Sequence, residues 1–174
     1  MTGNQVKGLR IRAARPSDGK PFLALVLALA EFEKLRPPDA AARRRLLADA
    51  FGRRPRFRLW VAELDRRVVG YAVFYFTYSS FLARPTLYLE DLFVHPDARG
   101  RGVATAVMQA LAREAVKQGC GRFEWTVLDW NERAIRLYRG LGATQMKEWI
   151  LCRAAGHALR RMAARGDRAV PRPR

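Results

Sequence analysis

Cysteine and long apolar runs are both scarce in this sequence. Its 174 residues include two cysteines, Cys120 and Cys152, which are too few for a disulfide framework and lack the spacing of a metal site. We expect both to be reduced thiols in the core. Residues 1–10 lack the apolar stretch of a signal peptide, and no run approaches the ~18 apolar residues of a membrane span. The sequence therefore predicts a soluble cytoplasmic protein with no metal ion and no membrane contact.

Acidic residues are also scarce, with 16 Asp and Glu against 33 Lys and Arg, so the formal net charge is +17. Such an excess raises nucleic acid as a partner. However, 28 of the cations are Arg, they are spread along the chain, and their densest run lies near its end, at Arg160, Arg161, Arg165, Arg168, Arg172 and Arg174. We therefore expect loose attraction to polyanions and no specific nucleic-acid partner.

The length suits one domain with a proper core. We expect residues 1–164 to form that domain and residues 165–174, rich in Pro and Arg, to form a disordered basic tail. Period-two apolar patterns predict strands and period-3.6 patterns predict helices. The predicted strands are Leu9–Ala13, Phe57–Leu64, Val68–Tyr78, 87–94, Phe123–Leu128 and Met146–Arg153. The predicted helices start near Phe22, after Asp39, near Arg101, after Asn131 and at Ala154.

The segment from Leu87 to Thr105 combines a strand, a turn and a helix start. The strand carries adjacent carboxylates, Glu90 and Asp91, and the turn enters the helix through Arg99-Gly100-Arg101-Gly102. Glycines let the backbone approach an anion, and the amides of a first helical turn bind phosphate. The lysine of a nucleoside-triphosphate loop and the three spaced glycines of a dinucleotide fold are missing. The segment predicts a different diphosphate cradle, with an ordinary glycine turn as the alternative.

Arg-x-x-Gly-x-Ala after Leu-Glu-Asp-Leu-Phe-Val resembles the acetyl-CoA loop of the GNAT N-acetyltransferase superfamily. The resemblance extends from Leu9 to about Ala164. It is strongest for the diamine (spermidine/spermine) branch and its thialysine-acetylating sister, through Phe76-Thr77-Tyr78, Leu87–Asp91, Arg99-Gly100-x-Gly102, Val127–Glu132, Tyr138 and Gly142-Ala143. It implies an α/β (α+β) GNAT fold, with a mixed central sheet of about six to seven strands, antiparallel in its first half, and helices on both faces.

The resemblance also implies acetyl-CoA as co-substrate. It places the cofactor along the backbone of Leu92, Phe93 and Val94 on a splayed strand. The diphosphate site would be Arg99, Gly100, Arg101, Gly102, Val103, Ala104 and Thr105. The pantetheine groove would include Asn131, Ala134 and Tyr138.

An amine must lose a proton before it attacks a thioester, because an alkyl ammonium with a pKa near ~10 has no free lone pair. Neighbouring residues of a regular strand point to opposite faces, so without a bulge only one of Glu90 and Asp91 reaches the cleft. The resemblance assigns the base to Glu90, acting directly or through a water. Tyr138 lies two helical turns after Asn131, on the same helix face, and is the candidate proton donor to the departing thiolate. The alternative for Glu90 is a buried carboxylate paired with an Arg. The alternative for Tyr138 is an aromatic residue of the core.

The resemblance places the amine channel at Phe32, Glu33, Glu90, Asp91, Glu124, Trp125 and Thr126. Carboxylates there suit a cationic substrate. The polyamine enzymes have Tyr where this chain has Phe32, and the Asp129-Trp130 version favours thialysine-like amino acids, so a polyamine and a lysine-like amino acid both stay open.

Two other functions also stay open. One is a GNAT enzyme that acetylates a protein N-terminus or a drug amine. The other is a non-catalytic module that binds CoA or nucleic acid. We expect a homodimer, in which the last strand, through Trp149–Cys152, pairs across a two-fold axis.

Overall fold

The computed structural model describes residues 6–165. Its strands are β1 (Leu9–Ala13), β2 (Arg58–Leu64), β3 (Arg67–Ser79), β4 (Arg84–Val94) and β5 (Arg122–Trp125). Its helices are α1 (Gly19–Phe32), α2 (Ala40–Phe51), α3 (Val103–Lys117), α4 (Glu132–Gly140) and α5 (Gly156–Arg165). None of the helices within the described range is long and apolar enough to cross a membrane.

The five strands form one sheet in the order β1-β2-β3-β4-β5. The first four strands are antiparallel to their neighbours, whereas β5 runs parallel to β4. Helix α3 carries the chain back across the sheet, which is why β5 can lie parallel to β4. The antiparallel first half and the parallel crossover are confirmed.

Helices cover both faces of this sheet. On one face, Val103, Val107 and Leu111 of α3 are buried against Leu87 and Leu89 of β4. On the other face, a second core joins α1 to β2, β3 and β4 through Phe22, Leu25, Leu59, Tyr71, Val73 and Phe93. Each helix presents one apolar stripe to the sheet, as its 3.6-residue period predicts. We call the side of the sheet that α3 covers the α3 face and the side that α1 covers the α1 face.

A gap opens beside the carboxyl half of β4. Pairing with β5 runs from Thr86, opposite Arg122, to Leu89, opposite Trp125. Strand β4 continues to Val94, so within residues 6–165 no strand pairs with its last five residues on that side. Strand β5 therefore ends three residues before the predicted Leu128. The backbone groups of β4 along the gap are available to a ligand.

Residues 142–165 belong to a second compact unit, whose helix is α5. The strand predicted for Met146–Arg153 is wrong, because this segment has no regular structure and Trp149, Ile150 and Leu151 are exposed. A strand is stabilised by a paired neighbour, and residues 142–165 contain no strand that could supply one. The sheet thus has five strands in the described chain, fewer than the six or seven expected.

The cysteines occupy different environments. Cys120 is half-buried, and burial raises the pKa of its thiol. Cys152 is exposed, so its predicted core position is wrong. It lies in the segment Met146–Arg153, which does not form the predicted strand. The predicted basic tail, residues 165–174, lies outside the described residues except for Arg165.

Candidate active site

A β-bulge interrupts β4 beside the gap. Across the β3–β4 ladder, Leu89 pairs with Phe74 and Asp91 pairs with Val73, so Glu90 is the extra residue. A bulge shifts the in-and-out alternation of a strand by one position. Leu89 accordingly packs in the core of the α3 face, whereas Phe93 packs in the core of the α1 face. Asp91, two residues before Phe93, shares the α1 face.

Two tyrosines of β3 hold the adjacent carboxylates. The Tyr75 hydroxyl donates to Glu90 Oε2 at 3.0 Å, and the Tyr71 hydroxyl donates to Asp91 Oδ2 at 3.5 Å. Residues four apart on a strand share one face, so both carboxylates lie on the α1 face. The separation onto opposite faces, expected for a regular strand, does not occur. Sequence reasoning missed both tyrosines, although their spacing on an aromatic strand was a usable signal.

Burial raises the proton affinity of two carboxylates of the site, those of Asp91 and Glu33. Burial, followed by the charges of Glu90 and Glu33, raises the pKa of Asp91 to about 6, although the Tyr71 hydrogen bond acts in the opposite direction. Burial also raises the pKa of Glu33, which follows the last residue of α1. Burial and the Glu90 hydrogen bond raise the pKa of Tyr75 to about 12. A concentrated negative charge therefore lies within a protein of net charge +17.

Two aromatic rings flank Arg99, which lies in the turn after the end of β4. The guanidinium carbon lies 5.0 Å from the ring centroid of Phe32 and 5.3 Å from that of Phe93. Arg99 Nε also donates to the Val94 carbonyl at 2.9 Å. The ring of Phe32 in turn lies 5.5 Å from the ring of Trp130. This stack joins the end of α1 to the loop that precedes α4.

The turn that leads into α3 is open and glycine-dependent. Gly100 and Gly102 both have φ of 79°, a left-handed conformation that side chains disfavour. A Cβ on Gly100 would meet no atom within 4 Å. The first hydrogen bond of the α3 turn runs from the Ala106 amide to the Gly102 carbonyl at 3.0 Å. The amides of residues 103–105 precede that bond, so they can point toward an anion.

Helix α4 and its cap carry the remaining residues that the sequence predicts for the cofactor groove. Asn131 Oδ1 caps the helix by accepting from the Ala134 amide at 3.2 Å. The Tyr138 ring lies 5.0 Å from the Trp125 ring and packs against the core of the α3 face. Burial raises the pKa of Tyr138, so its phenol keeps its proton near neutral pH. A phenol in that state can act as a proton donor.

The three channel residues expected on β5 do not lie together. Trp125 contacts Phe123 and Tyr138 and packs on the α3 face, away from the carboxylate group. Glu124 lies opposite Tyr88 of β4 and forms an ion pair with Arg122 at 3.2 Å. Thr126 is exposed after the end of the strand. The bulge, which the sequence does not reveal, is what gathers the other carboxylates.

No cluster of three or more His, Cys, Asp or Glu side chains within residues 6–165 is arranged to hold a metal ion.

We predict that Asp91→Asn stabilises the protein near pH 7.5. The pKa of about 6 is above the ordinary value of 3.8, so ionising Asp91 costs more in the folded than in the unfolded state. The variant should gain about 1–3 kcal/mol in free energy of unfolding by urea titration. Between the folded pKa of about 6 and the ordinary value of 3.8, Asp91 is protonated in the folded protein and charged in the unfolded chain. The gain in free energy of unfolding should therefore shrink as the pH falls through about 6 toward about 4.

The matched control is Asp49→Asn, which removes a partly exposed carboxylate of α2 paired with the exposed Arg56. Solvent-accessible ion pairs contribute little to stability. The free energy of unfolding of this variant should therefore stay within about 0.5 kcal/mol of wild type both near pH 7.5 and near pH 4. Equal effects of the two substitutions would contradict the prediction.

Comparison with known proteins agrees with this geometry. The model of the acetyltransferase (GNAT) family matches residues 25–143. The chain is 40% identical over 167 residues to a thialysine N-epsilon-acetyltransferase of Mus musculus, covering 90% of this chain and 98% of that protein. It is 30% identical over 154 residues to a spermidine/spermine N(1)-acetyltransferase-like protein of Homo sapiens, covering 83% of this chain and 22% of that protein.

A solved structure shows the same fold. An integron cassette protein from the mobile metagenome of V. cholerae matches with a TM-score of 0.76 and 23% identity, covering 90% of this chain and 98% of that one. The glycine loop before α3, the gap beside β4 and the family match over most of the chain lead to one conclusion. The chain belongs to the GNAT family of acetyltransferases.

Proposed function

We propose that this acetyltransferase moves the acetyl group of acetyl-CoA to a primary amine of a small cationic substrate, with a thialysine- or lysine-like amino acid as the first candidate. The observation that carries the proposal is the placement of Glu90 and Asp91 on the α1 face beside the β4 gap, held there by Tyr75 and Tyr71. The charge of Glu33 also acts on Asp91. An ammonium group needs such carboxylates both to bind and to lose its proton.

The residues around the gap fit acetyl-CoA. The diphosphate would lie on the amides of Gly100 to Thr105, with Arg99 and Arg101 as nearby cations. The pantetheine arm would follow the unpaired edge of β4 at Leu92, Phe93 and Val94, with Asn131, Ala134 and Tyr138 on the other side. When bound, acetyl-CoA supplies an activated thioester carbonyl.

The proposed proton donor and the proposed proton acceptors lie on opposite faces of the sheet. Tyr138 packs on the α3 face and the carboxylates lie on the α1 face. Amine and thioester would then meet at the gap between these faces. Glu90 accepts the proton of the amine, a β4 amide holds the carbonyl oxygen, and Tyr138 donates a proton to the departing sulfur. The proposed transfer is direct, without an acetyl-cysteine intermediate, because burial raises the pKa of the Cys120 thiol and so disfavours its nucleophilic thiolate.

The favoured substrate carries a single net positive charge. A protein of net charge +17 repels a polycation more strongly than a zwitterionic amino acid with one extra ammonium. Phe32 also lacks the hydroxyl that the resemblance leads us to expect in polyamine enzymes. A polyamine is the second candidate, because three carboxylates can accommodate more than one ammonium.

A substrate panel tests the proposal. With acetyl-CoA and purified protein, free thiol release should be fastest with thialysine or lysine and slower with spermidine, spermine and putrescine. Preference for the polyamines would favour the second candidate. Absence of turnover with all five amines would contradict the proposal and favour a protein N-terminus, a drug amine or a non-catalytic binding role. We further propose a cytoplasmic homodimer without a metal ion or a specific nucleic-acid partner.

Glu90→Gln should lower kcat by about 10²-fold or more near neutral pH, the usual contribution of a positioned base. Tyr138→Phe should also lower kcat, since the departing sulfur loses its proton donor. Affinity for acetyl-CoA, measured by calorimetry, should stay near wild type for Glu90→Gln. Unchanged kcat in both variants, with a confirmed amine substrate, would remove these two assignments.

Gly100→Ala should weaken CoA binding in calorimetry by about tenfold or more, because a Cβ would project into the open cradle and φ of 79° disfavours a side chain. Gly119→Ala is the matched control. Gly119 also has positive φ, 68°, and open space around its Cβ position, but it follows the carboxyl end of α3. The two variants should lose similar stability, and only Gly100→Ala should lose affinity. Equal CoA affinities would show that the cradle does not hold the diphosphate.

A further inference from the structure

Consecutive acidic residues in a strand normally cannot cooperate, because their side chains leave opposite faces. The bulge at Glu90 removes this restriction. Glu90 is exposed and accepts from Tyr75, whereas Asp91 is half-buried and accepts from Tyr71. One member of the pair therefore faces the cleft and the other lies behind it, on the same side of the sheet.

We infer that Glu90 and Asp91 share one proton during turnover and that Asp91 is the member of the pair that holds it. This inference rests on the proposed function, and it adds a second carboxylate to the base already assigned. Two neighbouring carboxylates repel each other when both are charged, so the more buried one, Asp91, takes the proton first.

The groups that face Asp91 come from three elements. Glu90 precedes it on β4, Glu33 follows α1, and Tyr71 lies on β3. Both glutamates favour the protonated form of Asp91, whereas the Tyr71 hydrogen bond favours the charged form. Burial acts in the same direction as the glutamates and is the largest contribution. Asp91 consequently gains and loses its proton nearer to neutral pH than an ordinary aspartate, as an efficient base should.

The proton count of the step is complete. The ammonium R–NH₃⁺ gives one proton to the carboxylate pair, and its nitrogen forms a C–N bond to the acetyl carbon as the C–S bond to CoA breaks. Sulfur takes a proton from the Tyr138 hydroxyl, and the second proton of the nitrogen restores that hydroxyl. The products are the amide, the CoA thiol and one proton on Asp91. That proton leaves to solvent past the exposed Glu90.

The experiment is a pH profile of kcat/KM for the best amine of the panel, from about pH 5 to about pH 9. The wild type should show an acid limb near pH 6, and carbon NMR of the Asp91 carboxyl without substrate should titrate at the same pH. Glu33→Gln should move the limb to lower pH, because it removes a repelling charge. Tyr71→Phe should move it to higher pH, because the charged form loses a donor.

Asp91→Asn should abolish this limb and lower kcat by about 10²-fold. The stability measurement described above separates this loss from unfolding, because this variant should be at least as stable as the wild type. Asp49→Asn on α2 is the control that removes a carboxylate outside the group facing Asp91, and its profile should match the wild type.

The two levels of the hypothesis fail differently. Normal turnover with an acid limb that none of Glu33→Gln, Tyr71→Phe and Asp91→Asn moves would overturn the shared-proton inference and leave the acetyltransferase proposal standing. Full kcat in Asp91→Asn would overturn it equally. Failure to acetylate any amine would overturn the proposed function itself.

Discussion

The single extra residue in β4 is the constraint on which the site depends. Without it, Asp91 would face the α3 core, where Leu89 and Val94 leave no place for a charge. With it, the strand places two carboxylates on the α1 face and still buries Leu87, Leu89 and Val94 in the core of the α3 face. The bulge also comes directly after Leu89, the last residue of β4 that pairs with β5. The acidic group and the gap for a ligand therefore occupy the same stretch of strand.

Most of the fold could be predicted because its signals are local. Asp39 caps α2 through the Ala42 amide at 2.7 Å, as its position before an apolar stripe indicates. Asn131 does the same for α4. The strand predicted at Met146–Arg153 failed because a strand needs a partner, which composition cannot supply. Lack of a partner does not explain the shorter β5, because β4 continues to Val94 beyond the last pair, Leu89 with Trp125; the apolar pattern does not show where the two strands separate.

The candidate site was predictable in kind and less so in arrangement. The glycine turn before Val103 has the expected left-handed geometry, since only glycine adopts it easily. The common face of Glu90 and Asp91 could not be foreseen, because a bulge inserts one residue without a sequence signature in this strand. Trp125, predicted along the amine channel, packs against Tyr138 because strand alternation assigns it to the α3 face.

The enclosure of Arg99 has a consequence for how an anion would be received. Its guanidinium is already fixed by two aromatic faces and by the Val94 carbonyl. A freely rotating arginine loses side-chain entropy when it grips a phosphate, whereas this one has given up most of that freedom during folding. The positive charge is thus immobilised before an anion binds. The entropy lost in ordering this side chain lowers the free energy of unfolding of the protein and not its affinity for the anion.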